Sequence, residues 1–526
     1  MTPPQPRRWP LSAATLAWVG LGLVYAATRL INLTQMPLFT DEGIYLWFGR
    51  QVLLGDLSRG WGQGKPLMAW LIATLLALVG NQSLAARLGI VLVSALGLAS
   101  AAHLAAKALS PSAALATALL WVLVPFTLYF ERLATPDVVL GALVVPALDV
   151  AWHVLHANRV RPIMALLAGA LFVLAALAKL PVSLFFFSLP VGISMLAPAT
   201  RSSSGRTNAF WLLLIPAFFA AGIVAIGGYR WWANASPIGF GFDEILLKSA
   251  LGGQASGPIK NLASLVAWAG LYLGWPLTLG LVAAWLSAWF GPPLARLLTG
   301  ASGIWLTIFV CVSSYWVPRY IWPVLPLLLM VVGWGAATTI EKLIALWTSR
   351  RSRLTAKSMA APLLIACIVA LSIPTMPLNW SILRDPSRAA LPVIDLFAYV
   401  TGPPAGYGLP EAAVYLANRL PTDPVSGQVI LLNIQDEARL RAYLPASLWP
   451  RLRQVQIVSG QNQDSGQQMA QVRAWLPEAA VTYVVVGSSL QWSADWQAAF
   501  PQATAVAQFP KPGGQDAVTV LRLPAP

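Results

Sequence analysis

Apolar runs of about 20 residues recur along most of this chain, and they constrain its fold more than any other feature. Hydrophobic residues make up 57% of the sequence and charged residues only 10%, whereas a soluble domain carries about 25% charged residues. A helix of that length can cross the hydrocarbon core of a bilayer with every backbone hydrogen bond satisfied internally. The sequence therefore predicts a polytopic α-helical membrane protein.

The basic residues follow the pattern of a membrane protein rather than that of a nucleic-acid-binding protein. The formal net charge is +15, but Arg and Lys concentrate in short segments between apolar runs, as at Arg7, Arg8 and residues 350–357. Cytoplasmic loops carry such an excess of cations. We therefore expect a cytoplasmic N-terminus, contacts with membrane lipids and not with nucleic acid, and an uncleaved first helix instead of a signal peptide.

The apolar runs and the charge asymmetry together predict about 11–13 transmembrane helices. The eleven predicted spans cover residues 11–31, 85–106, 112–130, 138–155, 163–177, 182–196, 210–228, 262–289, 304–316, 321–346 and 360–376. A further apolar run at 66–79 is short for a crossing. We expect it to form an interfacial or re-entrant helix, since a crossing there would change the side of every later loop.

The composition changes near residue 379, where charged residues, Gln and Pro return. This change predicts a transmembrane domain over residues 1–378 and a small soluble α/β domain over residues 379–526. Alternating apolar residues predict strands at 429–432, 481–486 and 518–523, and helices are predicted at 410–418, 437–443 and 468–476. On the predicted topology this domain is extracytoplasmic.

Acidic residues are concentrated in the predicted outer loops, the loops on the side opposite the cytoplasm. Asp41 and Glu42 follow the first span by a few residues, and Asp137 precedes the fourth. Thr40 or Asp41 could instead cap a helix that begins at residue 43. Acids near hydrocarbon are costly and are functional candidates, so Asp41, Glu42 and Asp137 are candidate catalytic residues. For Glu131 we expect a local ion pair with Arg132.

Three cations lie in outer loops against the charge bias: Lys65, Lys179 and Arg319. One explanation is that their side chains extend along apolar surface to the membrane interface. The alternative is that they bind an anionic head group, and Arg319, followed by Tyr320, can contact a phosphate with two parallel hydrogen bonds. Lys65, Lys179, Arg319 and Tyr320 are therefore the candidate substrate-binding residues.

The histidines do not predict a metal centre in the outer loops. His103, His153 and His156 all lie near the predicted inner face, so zinc bound by His is disfavoured at an outer site. Mg²⁺ or Mn²⁺ on the carboxylates of Asp41 and Asp137 stays open. The sequence has neither a Walker loop nor a dinucleotide fingerprint, so nucleotide chemistry is not indicated.

Short motifs in a fixed order resemble those of the GT-C membrane glycosyltransferases, and most closely those of glycosyltransferase family 39. This group includes the protein O-mannosyltransferases and the lipid A aminoarabinose transferases. The likeness covers roughly residues 11–376. Its motifs are Thr40-Asp41-Glu42, Gly64-Lys65-Pro66, Thr135-Pro136-Asp137, Ala178-Lys179-Leu180-Pro181 and Arg319-Tyr320 followed by Pro323 and Pro326.

The resemblance implies a sugar donor linked to polyprenyl phosphate, a lipid, glycan or protein acceptor at the outer face, and transfer with inversion. It implies that Asp41 is the base, that Asp137 is a second site acid, and that Lys65, Lys179 and Arg319 contact the lipid phosphate. It also suggests a plasma membrane of the bacterial type. The chain departs from the aminoarabinose transferases at Gly64, where they have Glu, and in having no outer His, so their zinc does not carry over.

Two other functions fit a membrane protein of this composition. A transporter or lipid flippase would place ionisable residues near the bilayer midplane, whereas Asp149 and Glu341, the only acids within predicted spans, lie toward inner ends. A polysaccharide polymerase or ligase would use a pyrophosphate-linked oligosaccharide instead of a phosphate-linked sugar. The position of the charges at span ends favours a transferase over a transporter.

Overall fold

The computed structural model describes residues 13–157, 161–179, 257–313, 317–347, 353–420, 427–431, 434–454, 465–488 and 494–523. Its membrane part is helical. The first eight helices are α1 (Ala13–Leu30), α2 (Thr40–Leu53), α3 (Pro66–Leu78), α4 (Gln82–Ala108), α5 (Pro111–Leu123), α6 (Pro125–Phe130), α7 (Pro136–His156) and α8 (Pro162–Ala178). The spans predicted at 182–196 and 210–228 lie outside the described residues.

Six further helices complete the membrane part that the structure describes. They are α9 (Pro258–Tyr272), α10 (Trp275–Ala288), α11 (Pro293–Val312), α12 (Leu325–Trp347), α13 (Arg353–Ser372) and α14 (Met376–Arg384). Among the described residues, five helical segments are long and apolar enough to cross a membrane, and six are if one bent pair counts as a span. Four shorter apolar helices, at Thr15–Leu30, Pro66–Leu78, Pro111–Leu123 and Pro162–Ala178, accompany them.

Local sequence explains where the helices begin. Asn81 and Ser110 accept hydrogen bonds from the backbone N–H groups of Leu84 and Ala113 and so cap α4 and α5. Proline occupies the first turn of α5, α7 and α8, where its missing N–H has no helical partner to lose. These caps and prolines define the short connections between the membrane helices.

Two predicted spans are broken in the structure. The run at 112–130 is divided at Val124 into α5 and α6, because Pro125 lacks an N–H and disfavours helical backbone in the residue before it. The run at 262–289 forms α9 and α10, which meet at a bend of 120°. The bend lies beside Gly274 and Pro276. Length and hydropathy alone predicted straight helices in both places.

Helix α7 lies at the centre of the membrane part and is almost entirely buried. It packs against α4 and α8, and α5 packs against α4 and α12. Because α7 begins at Pro136, its first turn carries Asp137 into the interior at one end of the bundle. The same end receives α2, the start of α3 and a 3₁₀ turn at Pro318–Val324 that precedes α12.

The predicted C-terminal α/β region is confirmed and contains one mixed sheet. Its strands are β1 (Gly427–Leu431), β2 (Leu452–Gln454), β3 (Val481–Val486), β4 (Thr504–Pro510) and β5 (Ala517–Leu523), in the spatial order β2-β1-β3-β5-β4. The pairs β1–β2 and β1–β3 are parallel, and β3–β5 and β4–β5 are antiparallel. β2 and β4 were not predicted, because β2 is very short and β4 has no buried face.

Helices also occur where the sequence predicts them in this region. After a short α15 (Val393–Leu396), the described helices are α16 (Leu409–Arg419), α17 (Ile434–Arg441), α18 (Ser465–Trp475) and α19 (Ala494–Ala499). α17 packs against α2 of the membrane part. The C-terminal region therefore contacts the element that carries Asp41 and Glu42.

Candidate active site

The carboxylates of Asp41 and Glu42, both in the first turn of α2, point in different directions. Consecutive residues of an α-helix lie about 100° apart around its axis. Glu42 is fully buried, whereas the Asp41 side chain is 26% exposed. Glu42 also accepts a hydrogen bond of 3.2 Å from the backbone N–H of Phe39 and so completes the helix start. The helix begins at Thr40, three residues earlier than the capping alternative assumed.

Both carboxylate oxygens of Glu42 have structural partners. Arg87 donates to them from Nε at 2.8 Å and from Nη2 at 2.7 Å, and the backbone N–H of Ala134 donates to Oε1 at 2.8 Å. Arg87 also donates to the carbonyl oxygens of Leu33 and Met36. Glu42, predicted to be catalytic, therefore has both oxygens in hydrogen bonds, which join the first and second outer loops.

Glu131 does not pair with Arg132, so that prediction is wrong. Glu131 accepts from Arg29 Nε at 2.7 Å and from the Ser94 hydroxyl at 2.5 Å, and all of these groups are buried. Arg132 donates to backbone carbonyl groups at the end of α1, including that of Ile31 at 2.7 Å. Sequence adjacency suggested the pair, but the end of α1 offers Arg132 unpaired carbonyl oxygens.

Asp41 is paired with Arg319, which lies in the 3₁₀ turn before α12. Arg319 Nη1 is 2.7 Å from Asp41 Oδ2. Burial would raise the pKa of Asp41, but the charges of Arg319 and Lys65 outweigh it and hold the pKa below its ordinary value. The buried Nε of Arg319 has no hydrogen-bond partner among the described residues. One donor of this guanidinium thus remains available for an anion.

Asp137 is paired with Lys179 at the other side of the site. Lys179 Nζ is 2.6 Å from Asp137 Oδ1, and the two side chains are 13% and 2% exposed. The same Nζ lies 4.3 Å from the centre of the Tyr320 ring, and the Arg319 guanidinium lies 5.7 Å from it. Tyr320 therefore separates the two ion pairs and contacts a cation from each.

Lys65 completes the set of cations. Its Nζ donates to the Tyr45 hydroxyl at 2.7 Å. Burial lowers the pKa of Lys65 to about 8, with Asp41 opposing and Lys179 and Arg319 adding to the decrease. The preceding Gly64 has a φ of 66°, a conformation that other residues rarely adopt. This backbone conformation explains why Gly occupies position 64.

The structure thus brings Asp41, Asp137, Lys65, Lys179, Arg319 and Tyr320 into one site. Two carboxylates and three cations give it a formal charge of +1 when all are ionised, which suits the single negative charge of a phosphodiester. The carboxylates of Asp41 and Asp137 each have a cation within 2.7 Å. Mg²⁺ or Mn²⁺ on these two residues stays a prediction, and an ion there would compete with the two cations for the carboxylates.

One further ionisable residue beside the site, Asp395, was not predicted from the sequence. Asp395 in α15 is buried and accepts a hydrogen bond of 2.5 Å from the Tyr272 hydroxyl. Burial raises the pKa of Asp395 to about 7, although the Tyr272 hydrogen bond and the charge of Arg319 both lower it. An acid in a short apolar segment could have been noted, but its partner lies 123 residues away.

The raised pKa of Asp395 predicts a pH-dependent stability. The folded state holds a proton between the unfolded pKa of about 4 and the folded value of about 7. Stability from this group is full below the lower pKa and is lost as pH rises through the higher one. Relative to Asp395→Asn, we expect the wild type to lose about 3 kcal/mol of stability from pH 5 to pH 8, which lowers its Tm. Parallel Tm profiles of the two proteins would contradict this.

The C-terminal region braces the loop that precedes Asp41. The Tyr443 hydroxyl accepts a hydrogen bond of 2.8 Å from the Leu38 N–H. The carbonyl oxygen of Pro404 accepts hydrogen bonds of 2.9 Å from Thr40 N–H and from Arg439. At Gly406 a side chain would overlap the carbonyl group of Leu38. These contacts position the start of α2 from outside the membrane part.

Comparison with known proteins supports the fold and its family likeness. Residues 63–226 match the family described as dolichyl-phosphate-mannose-protein mannosyltransferase. No curated protein matches the chain in sequence.

Solved structures match over most of the chain. ArnT from Cupriavidus metallidurans bound to undecaprenyl phosphate has a TM-score of 0.61 and 14% identity, over 96% of this chain and 97% of that chain. The Archaeoglobus fulgidus oligosaccharyltransferase in the apo form has a TM-score of 0.54 and 12% identity, over 90% of this chain and 69% of that chain. The arabinofuranosyltransferase AftD from Mycobacteria has a TM-score of 0.50 and 16% identity, over 99% of this chain and 40% of that chain.

These matches agree with the geometry of the site, in which the residues of all five motifs converge at one end of the helical bundle. The chain is an integral membrane protein with the GT-C glycosyltransferase fold, and it is similar to glycosyltransferase family 39.

Proposed function

We propose that this protein transfers a sugar from a polyprenyl-phosphate-linked donor to an acceptor hydroxyl at the extracytoplasmic face, with inversion. The acceptor is a lipid, a glycan or a protein. The observation that carries the proposal is the convergence of three cations and two carboxylates, of which Asp41 is the more exposed acid. The solved structure of ArnT with undecaprenyl phosphate supports a lipid phosphate as the donor group.

The cations are suited to bind the phosphate of the donor. Arg319 has a buried Nε without a partner among the described residues, and a guanidinium can bind two phosphate oxygens at once. Lys65 and Lys179 act as point charges beside it. Charge that develops on the departing phosphate is stabilised by groups that are already oriented, which lowers the barrier to transfer.

Asp41 acts as the general base in this proposal. The acceptor hydroxyl gives its proton to the Asp41 carboxylate while its oxygen forms a bond to the anomeric carbon. The bond from that carbon to the phosphate oxygen breaks, and its electron pair leaves with polyprenyl phosphate. Attack opposite the leaving group inverts the anomeric configuration. A lipid phosphate is a good leaving group, so the step does not require a strong general acid.

Donor binding also activates the base. In the free protein the charge of Arg319 helps to hold the pKa of Asp41 below its ordinary value and makes it a weak base. A bound phosphate competes for the same guanidinium and adds negative charge beside Asp41. Both effects raise the pKa of Asp41, so the carboxylate becomes an effective base after the donor is bound. Asp137 keeps Lys179 oriented toward the phosphate.

A defined donor assay tests the proposal against its alternatives. Purified protein is incubated with polyprenyl-phosphate sugars or with pyrophosphate-linked oligosaccharides, and the released lipid is identified by mass spectrometry. Release of polyprenyl phosphate supports the proposed transferase, and release of polyprenyl pyrophosphate indicates a polymerase or ligase. Translocation of intact donor in vesicles without release would indicate a flippase and contradict the proposal.

The lowered pKa of Lys65 predicts how donor affinity depends on pH. Because its pKa is about 8, Lys65 is charged below pH 8 and becomes neutral above it. The KM for the donor should rise above about pH 8 in the wild type, and less so in Lys65→Arg, whose guanidinium stays charged. The measurement is KM from pH 6.5 to 9.5 in both proteins. An equal rise of KM in Lys65→Arg would show that the charge of Lys65 does not contribute to donor binding.

A further inference from the structure

A second cluster of ionisable side chains lies far from the proposed catalytic site. His103 of α4 meets Asp149 and His153 of α7. Asp149 is twelve residues after Asp137 along the same helix, a distance of about 18 Å at 1.5 Å per residue. The sequence predicted only interfacial histidines near the inner face. Packing of α4 on α7 brings two of them to one carboxylate.

The three side chains are arranged as a compact ligand set. His103 Nδ1 is 2.8 Å from Asp149 Oδ2, and His153 Nδ1 is 3.2 Å from Asp149 Oδ1. One ligating atom from each of the three residues lies within 4.8 Å of the other two. The carboxyl side chain is only 12% exposed, whereas His103 is half exposed. The cluster thus combines an anchored carboxylate with an approach from outside.

A backbone contact determines the protonation of one histidine. His153 Nδ1 lies 2.8 Å from the carbonyl oxygen of Asp149, one turn earlier. A carbonyl oxygen can only accept, so Nδ1 carries the proton and Nε2 keeps its lone pair. Metal-binding histidines are typically oriented by such a bond from the other ring nitrogen. Nε2 is therefore the ligand atom of His153, and the 3.2 Å contact of Nδ1 with Asp149 Oδ1 shows only that the ring lies beside the carboxylate.

The donor set of the cluster matches a divalent metal ion. The rings of His103 and His153 are stacked at 4.9 Å with an angle of 10° between them. Two neighbouring imidazoles and one carboxylate form a donor set that also occurs at zinc sites. Imidazole ligands favour Zn²⁺ and its transition-metal neighbours over Mg²⁺ or Ca²⁺.

We propose that His103, Asp149 and His153 bind a divalent transition metal ion, with Zn²⁺ as the best match. The remaining coordination positions are open to water. Ligands at about 2.0–2.2 Å from a shared ion lie about 3–3.5 Å from each other, so the half-exposed His103 must rotate to open its 2.8 Å contact with Asp149. The ion would join α4 to α7 at the end of the bundle opposite the catalytic site, so its role is structural or regulatory.

The test measures metal binding directly and does not depend on sugar transfer. The full chain is purified in detergent with a tag that contains no histidine, treated with chelator, and titrated with Zn²⁺ alone. We expect about one Zn²⁺ per chain and an upward shift of Tm. His103→Ala and Asp149→Asn should each weaken binding at least about 10-fold, as ligand-shell losses do. If the wild type binds no Zn²⁺, the three side chains form only an ion pair, and the proposal is overturned.

Two further variants keep the result interpretable. His156→Ala removes the remaining histidine, which stacks on Trp152 outside the cluster, and should leave Zn²⁺ affinity unchanged. His103→Cys should restore binding that His103→Ala loses, and its Co²⁺ form should show thiolate charge-transfer absorption. Equal Zn²⁺ affinity in His103→Ala and in the wild type, or loss in His156→Ala, would overturn the assignment.

Discussion

Asp41→Asn is expected to lower kcat of sugar transfer by about 10²–10⁴-fold, the usual contribution of a general base. An amide cannot take the proton of the acceptor hydroxyl, although it has nearly the shape of the carboxylate. Folding should be retained, since Asp41 is partly exposed and its pair with Arg319 lies at the site surface. The measurement is release of polyprenyl phosphate by purified variant at saturating donor.

A measurement of donor affinity distinguishes a catalytic base from a donor-binding residue. Asp41→Asn removes the carboxylate that occupies Arg319 in the free protein, so the Kd for polyprenyl phosphate should stay equal or decrease. Asp56→Asn is the matched control, because Asp56 lies after α2 and forms an exposed pair with Arg59. It should keep wild-type kcat. Near-normal turnover by folded Asp41→Asn would refute the assignment of the base.

Arg87→Met is expected to lower the free energy of unfolding by about 3–5 kcal/mol, the cost of leaving a buried charge without its partner. Arg87 and Glu42 are both fully buried and 2.7 Å apart. The substitution also removes the donor to the carbonyl groups of Leu33 and Met36. Thermal unfolding in detergent, or the denaturant midpoint, measures the loss.

An exposed pair provides the control for Arg87. Arg59→Met breaks the pair with Asp56, whose side chains are 59% and 43% exposed, and exposed pairs contribute about 0–1 kcal/mol. The double variant Arg87→Met with Glu42→Leu should be less damaging than the sum of the single substitutions, because no charge is left buried. Strictly additive losses would show that the two residues do not act as a pair.

The interior of the membrane part could be predicted only in outline. Apolar runs located α1, α4, α7 and α8 to within a few residues, because length and hydropathy suffice for a straight membrane helix. They did not predict the breaks at Val124 and Gly274. A proline or glycine inside an apolar run is tolerated or not depending on what packs beside it, and that is a tertiary property.

The candidate site was more predictable than its supporting structure. Asp41, Asp137, Lys65, Lys179 and Arg319 stood out as charges at helix ends, and the structure brings all five together. Asp395 and Tyr272, far apart in sequence, did not stand out. Charges in loops are visible against an apolar background, whereas a buried partner is recognisable only when its neighbours are known.

Local sequence patterns were enough to identify a helical membrane protein and the loops that carry its charges. They also determined the order of the motifs, because each is a local pattern. The two carboxylates of the Asp41-Glu42 pair, by contrast, could be distinguished only from their contacts in the folded protein. Consecutive residues of a helix point about 100° apart, and Arg87, 45 residues away, pairs with Glu42 in the interior. Long-range packing therefore leaves Asp41 as the acid that faces the site.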